Sequence, residues 1–420
     1  MDSDQDSNGQ DRQVRYMRVF MKKKQLRIMM VAGYLLGSIL CFTGCGADVT
    51  AVVPKSGYVY GEPVGGELVT MPGQPIEQDL NEVPVQAEKE PLDSSQTQNT
   101  PEQNKVSITI SAAGDCSLGN HIAQDYSASF NQTYDTEGGA EYFLRNVKEI
   151  FAADDMTIVN LEGVLTTSDA AAAGRTYNIK GDPSYAKILT EGSVEAVSMA
   201  NNHRLDFGTE GTKDTEAALN AENIIYAYDK NVAIYEAQGI RIGYVSVNEI
   251  AWGQGSEELV AEGIDKLKAA GVDLVLVACH WGIEKENYPE AYQQKLGRKC
   301  IDMGADLVIG HHPHVLQGIE EYKGKLILYS LGNFCFGANR SPSDKDTMIF
   351  QQTFTFVDGE LQEGMDALVI PCSISSVSNR NNFQPTPLAA DEATRVINRL
   401  NTYSADMGIV ISEEGIVEMK

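Results

Sequence analysis

From residue 106 onward, short apolar runs alternate with stretches whose apolar residues recur every three or four positions, as in strands interleaved with helices. Val106-Ser107-Ile108-Thr109-Ile110 alternates apolar and polar and predicts a strand with two unlike faces. Val272 to Ala278 is nearly continuous in apolar residues and predicts a strand covered on both sides. Further strands are predicted at 156–159, 194–199, 224–227, 232–237, 240–247, 306–309, 325–329, 349–357 and 367–370. Helical spacing runs through 141–151, where residues 143, 144, 147, 150 and 151 are apolar, and through 212–221, 257–270, 289–303 and 391–403. Asp182-Pro183 opens another helix with a cap residue and a first-turn proline, and Gly271 terminates the helix at 257–270. The alternation predicts an α/β fold, whose ligands gather at the carboxyl ends of the strands.

Ahead of residue 106 the pattern is lost. Residues 1–20 are polar and patternless, and we read them as an extension preceding a true start at Met21. Lys22, Lys23, Lys24 and Arg27 then lead into the apolar run Ile28 to Phe42, so residues 21–44 read as a secretory signal. At 15 residues that run is shorter than the ~18 of a bilayer-spanning helix. Phe42-Thr43-Gly44-Cys45 resembles a bacterial lipobox, with Phe where Leu is commoner, which would make Cys45 the lipidated N-terminus. Residues 45–105 hold seven of the fourteen prolines among Gln, Glu, Ser and Asn, and read as a disordered tether. A flexible coil of that length spans on the order of 40 Å. The expected location is thus the extracytoplasmic face of a bacterial membrane, reached through a lipid anchor.

The net charge of −26 excludes the basic footprint that nucleic-acid binding demands. Beyond Cys41 and Cys45, the five cysteines at 116, 279, 300, 335 and 372 show no paired spacing and read as small buried hydrophobes. The histidines are distributed very differently. Three of six fall in Gly310-His311-His312-Pro313-His314, after the apolar run 306–309. In strand geometry His312 and His314 would share a face. His203 and His280 also follow apolar runs, as do Asp115, Glu162 and Asn202. Mixed carboxylate, amide and imidazole donors suit Mn, Zn or Fe better than Ca or Mg. Seven candidate ligands exceed the needs of one ion, so two divalent ions sharing a carboxylate is the economical expectation.

Six motifs occur in order: Gly114-Asp115; Asn160-Leu161-Glu162; Ala200-Asn201-Asn202-His203 with Asp206 and Gly208; His280-Trp281-Gly282 with Glu284; Gly310-His311-His312-Pro313-His314 with Gln317; and Tyr329-Ser330-Leu331-Gly332-Asn333-Phe334. Over residues 106–340 this set resembles the CapA family of poly-γ-glutamate capsule synthesis, a branch of the calcineurin-like metallophosphatases. The resemblance implies a four-layer αββα sandwich over 106–345, completed by strands and a helix in 346–420. It implies metal ligands at Asp115, Glu162, Asn202, His280, His312 and His314, and a catalytic His203 aided by Asp206. Glu284, Asn333 and His311 would support the ligands from behind. Metallophosphatases open with D-x-H, whereas Asp115 is followed here by Cys116 and Ser117, and Glu162 stands in place of their bridging Asp. His121 is the one nearby candidate to replace the missing histidine.

Two functions follow. One is a metal-dependent hydrolase of a phosphoester or an isopeptide bond, serving capsule assembly beside the membrane proteins that synthesise and export polyglutamate. The other is a tethered scaffold that binds anionic polymer or membrane partners without catalysis, since fold does not certify activity.

Overall fold

The computed structural model describes residues 104–420, together with two short strands at Val59–Gly61 and Leu68–Thr70. The extension at 1–20, the signal at 21–44 and Cys45 lie outside the described residues, as does most of the tether.

In chain order, the chain forms β1 (Lys105–Ser117), β2 (Met156–Leu161), β3 (Ala196–Ser198), α1 (Gly208–Ala221) and β4 (Ile225–Ala227). Next come β5 (Ala233–Ala237), β6 (Ile240–Asn248), α2 (Glu249–Trp252), α3 (Gly255–Ala269) and β7 (Leu274–His280). They are followed by α4 (Ala291–Met303), β8 (Leu307–His311), β9 (Ile319–Tyr322) and β10 (Lys325–Leu328). The last elements are β11 (Asn333–Phe336), β12 (Asp346–Val357), β13 (Asp366–Ser373) and α5 (Ala390–Tyr403). One sheet runs β13-β12-β1-β2-β3-β4, with β11 also paired to β1, and the other β9-β10-β8-β7-β6-β5. Strands β1 to β4 are mutually parallel, as are β6, β7, β8 and β10, so their carboxyl ends point one way within each sheet.

The two sheets pack face to face. Ile108, Ile110, Ala112, Met156 and Ile158 of the first meet Ile242, Tyr244, Leu274, Leu276, Leu307 and Ile309 of the second in one buried cluster. The opposite faces are covered too. Val159 and Val197 pack beneath Phe143, Val147, Phe151, Ile188 and Leu219, while Val275, Val277 and Val308 pack beneath Val260, Ile264, Leu267 and Leu296. Alternate residues of β7 therefore enter different cores, which is why its sequence is almost wholly apolar. The result is the four-layer αββα sandwich.

Two expectations need correction. The helix read over 141–151 is two single turns, Ala140–Phe143 and Lys148–Phe151. Residues 143, 144, 147 and 151 are all buried as the pattern required, but the backbone opens between the turns, where the Asn146 amide reaches Thr386 Oγ1 at 2.9 Å. Within the stretch read as tether, Val59–Gly61 pairs antiparallel with β5 and with Leu68–Thr70. Those pairings cover backbone groups that β5 would otherwise present as a bare sheet edge.

Helix α5 closes one end of the inter-sheet core through Val396, Ile397 and Leu400. Its polar side is bolted to β12: Asp346 accepts from Arg395 Nη1 at 2.6 Å and Nη2 at 2.7 Å, and also from Arg399. These two guanidiniums outweigh the effect of burial and hold the Asp346 carboxyl below its ordinary range. Asp346→Ala is expected to lower the urea midpoint by an amount worth roughly 1–2 kcal/mol, since it takes a buried carboxylate from two guanidiniums and leaves Glu392 as the one carboxylate on Arg395 and Asp344 as the one on Arg399. A depressed folded-state pKa means this stabilisation is complete above the unfolded value and is lost as pH falls through the folded one. Urea titrations of wild type and variant across that acid range check both statements.

Candidate metal centre

The parallel strands of both sheets deliver polar residues to one buried point. Asp115 sits near the end of β1, where Gly114 lets the backbone pass against the 330–333 turn; a Cβ on Gly114 would lie 2.0 Å from Gly332 O. The Asp115 amide donates to Gly332 O at 2.9 Å, and Asn333 lies beside Asp115 in the β11–β1 ladder. Glu162 follows β2, its amide bonded to Cys116 O at 2.8 Å. His280 ends β7 and stands beside His311, the last residue of β8. A Cβ on Gly310 would meet Tyr329 O at 2.1 Å, so only glycine allows β8 this close to the next segment.

His312 and His314 converge on the site, though not through strand geometry. β8 stops at His311, and His312 and His314 have φ of 97° and 58°, a left-handed conformation rare outside glycine. Each costs on the order of 1–3 kcal/mol of backbone strain, which surrounding structure must offset. The His314 carbonyl is held by Asn333 Nδ2 at 3.1 Å, and the His312 amide points at Asp115 Oδ2, 3.4 Å away.

At the centre is Glu162 Oε1, fully buried and without a hydrogen-bond partner. Around it stand three imidazole Nε2 atoms: His314 at 3.6 Å, His280 at 3.8 Å and His203 at 4.0 Å. These separations are too long for hydrogen bonds. They match donors that share one ion, since ligands about 2.0–2.2 Å from a metal lie roughly 3–4 Å from one another. Two groups of donor atoms have this spacing, Glu162 with His280 and His312, and Asp115 with Glu162 and His314. Glu162 belongs to both. Asn202 Oδ1 lies 3.1 Å from His280 Nε2, on the side of the first group. Among the described residues thirteen buried side-chain polar atoms lack a hydrogen-bond partner, and seven belong to Glu162, Asp206, His311, His312, His314 and Asn333, of which Asp206 Oδ1, His311 Nδ1 and His314 Nδ1 still face an ionisable group at 3.0–3.2 Å. Orphans gathered at one point are what a cation site leaves when its ion is not counted. The residues therefore fit divalent metal.

The electrostatics agree. Burial pushes the Glu162 carboxyl up to about 7, with Asp115 adding to the rise. Burial likewise lowers His280 well below its usual value and His312 to about 4, so both are neutral and able to ligate. For His314 burial works downward, but the charges of Glu162 and Asp115 prevail and raise it to about 9. Burial also works to raise Asp115, but His311 and His314 against its oxygens hold it well below the carboxylate range.

His203 stands at the rim. Its Nδ1 lies 2.7 Å from Asp206 Oδ2, which leaves Nε2 facing Glu162. Asp206 is fully buried and also accepts the Ile179 amide at 2.7 Å. His311 is closer to the centre than a supporting role implied, with Nδ1 3.2 Å from Asp115 Oδ1. Glu284, expected to orient an imidazole, is instead exposed and acts on Glu162, His312 and His314 through its charge. His121 stays apart, bonded to Asn178 and edge-on to Tyr177.

Three contributors were given no role by the sequence reading, although it named Asn160 and Asn201 in its motifs. Asn160 Nδ2 lies 2.9 Å from Asp115 Oδ1 and 3.3 Å from Glu162 Oε2, tying the two carboxylates together. Asn201 Nδ2 in turn donates to Asn160 Oδ1 at 3.1 Å. Both stand within two residues of predicted ligands, and that proximity was the available signal. Arg175, which donates to Asn202 O at 2.5 Å and lies 3.2 Å from Asp206 Oδ1, comes from a polar loop with no pattern to announce it.

Residues 109–338 match the family model described as bacterial capsule synthesis protein PGA_cap. The chain is 28% identical over 254 residues to the capsule biosynthesis protein CapA of Bacillus anthracis, covering 54% of this chain and 60% of that one. It is also 28% identical over 251 residues to the PGA biosynthesis protein CapA of Bacillus subtilis strain 168, covering 54% and 63%. The matches thus span about six-tenths of each relative's length. A solved structure, a hypothetical protein from Thermus thermophilus, aligns over 63% of this chain and 99% of its own, with a TM-score of 0.38 and 16% identity, too slight to carry an argument.

Equilibrium dialysis against Mn followed by elemental analysis checks the centre. Glu162→Gln is expected to remove most bound metal, because it weakens both donor groups, whereas His280→Ala and Asp115→Ala each weaken one. Asn160→Ala is expected to lower affinity about 10–100-fold through lost ligand orientation. Affinity should also fall as pH drops below about 9, where His314 takes up a proton that metal must displace, and further below about 7, where Glu162 does.

Proposed function

Because the chain belongs to the PGA_cap family of bacterial capsule synthesis proteins, we propose that it acts in poly-γ-glutamate capsule assembly as a metal-dependent hydrolase. It would be held at the outer face of the membrane by a lipid on Cys45. The observation that carries the catalytic part is the pair of donor groups sharing Glu162, with the His203–Asp206 pair at their edge.

Glu162, His280, His312 and Asn202 would hold one ion, and Asp115, Glu162 and His314 the other, with Mn, Zn or Fe favoured by the donor types. When bound, such ions supply Lewis acidity and activate water. The remaining chemistry belongs to the chain. Asn160 keeps the Asp115 and Glu162 carboxylates in register. Asp206 accepts a hydrogen bond from His203 Nδ1–H and fixes the ring, so that in the imidazolium form Nε2–H gives its proton to the leaving atom of a phosphoester or γ-glutamyl isopeptide bond. Arg175 braces that arrangement from the loop side.

The signal-like segment supports the anchor, and the family supports the partners. Residues 21–44 as signal and 45–105 as tether would leave the domain near the membrane proteins that synthesise and export the polymer. No helix among the described residues is long and apolar enough to cross a membrane.

His203→Gln and Asp206→Asn are expected to cut turnover of bis(p-nitrophenyl) phosphate or a γ-linked glutamate oligomer by roughly 10²–10⁴, with metal content unchanged. A metal-loaded wild type that turns over neither substrate would favour the scaffold instead. Cys45→Ala is expected to move the protein from the membrane fraction to the soluble fraction; continued retention contradicts lipidation.

A further inference from the structure

The face that carries the metal centre is unusually apolar at its rim. Of the thirteen large apolar side chains exposed among the described residues, nine lie in the segments that leave the carboxyl ends of β1, β2, β3, β6 and β7. Tyr126, Tyr177, Leu205, Trp252, Ile283 and Tyr288 are among them. Large apolar side chains concentrated on one rim mark a binding surface, whereas the same number scattered singly would be ordinary.

Trp252 is held in place on this rim by its own hydrogen bond. It ends the short helix α2, which follows β6 directly, and the last residue of β6, Asn248, pairs with His280 across the ladder. Its indole Nε1 donates to Asp229 Oδ1 at 2.8 Å. The other oxygen of Asp229 accepts from Arg204 Nη2 at 2.8 Å, and Arg204 immediately follows His203. The Arg204 guanidinium lies over the Tyr228 ring, 4.5 Å from its centroid. One carboxylate thus locks an indole and a cation side by side at the edge of the site. The indole edge is satisfied while half the residue remains exposed, at 50%. Such an arrangement serves a ligand that is flat and apolar in one part and anionic in another.

We propose that Trp252 is a binding platform on which an extended γ-linked polyglutamate chain lies as it enters the metal centre. The repeat of that polymer suits it: amide planes and paired methylenes lie on the indole, and the carboxylates between them meet the N–H groups left over on Arg204 and Arg175, which are already paired with Asp229 and Asp206. Divalent ions held in the centre would supply the positive charge that an anionic polymer needs against a chain of net charge −26. This assignment rests on the reading of the centre as acting on that polymer.

The two tryptophans make it testable, because Trp281 is fully buried and Trp252 is the accessible one. Titrating the full chain with a γ-linked glutamate decamer is expected to shield the acrylamide-quenchable emission in a saturable way. In calorimetric titrations Trp252→Ala should bind the decamer about tenfold more weakly, and Trp252→Phe should restore most of the affinity. Both variants should keep wild-type melting and metal content. Unchanged quenching, or equal affinity of Trp252→Ala and wild type, overturns the proposal. So does shielding by a neutral hexose oligomer where the decamer gives none. Repeating the titration beside the turnover assay separates the two readings: shielding without turnover upholds the platform and sinks the hydrolase, and turnover without shielding does the reverse.

Discussion

Glu162 Oε1 imposes the constraint on which the rest depends. A carboxylate oxygen with no exposure and no hydrogen bond is costly to bury, and the protein surrounds it with imidazoles rather than removing it. The resulting conflict shows in the opposed shifts, Glu162 and His314 up, His280 and His312 down. Hydrogen bonding cannot resolve it at 3.6–4.0 Å. Cations can, and the two donor groups meet at that carboxylate.

The four-layer sandwich makes the constraint sustainable. Parallel strands in two facing sheets bring their carboxyl ends to neighbouring points, and close backbone passages at Gly114 and Gly310 set the spacing of the segments that carry Asp115 and His311. The cost of the site falls on local geometry. His312 and His314 both take left-handed backbone, held by the Asn333 amide and the Asp115 carboxylate. Such strain persists where packing over-determines it, and the buried cluster between the sheets provides that rigidity.

Much of this was legible in the sequence because the strongest patterns carry the largest physical signals. β7 and β8 are buried on both faces and read as apolar runs, and α4 showed its spacing clearly. Each candidate ligand stood just past such a run, so its place at a strand end followed from periodicity. What periodicity cannot carry was lost. The two-residue strands Asn120–His121 and Val164–Leu165 are too short to alternate, and the turn conformation at His312 and His314 depends on tertiary contacts. Spacing likewise could not separate the buried amide of Asn160, which bridges two acids, from the exposed Glu284, or announce Arg175 from its loop.

The remaining parts of the molecule are arranged around this face. Lys105, at the amino end of β1, lies ten residues before Asp115, which in a strand is on the order of 33 Å. The most direct test of the central claim is anomalous diffraction at the manganese edge from crystals grown with Mn. The account predicts two peaks, one among Glu162, His280 and His312 and one among Asp115, Glu162 and His314. No peak at Glu162, or ions bound only elsewhere on the surface, would contradict it.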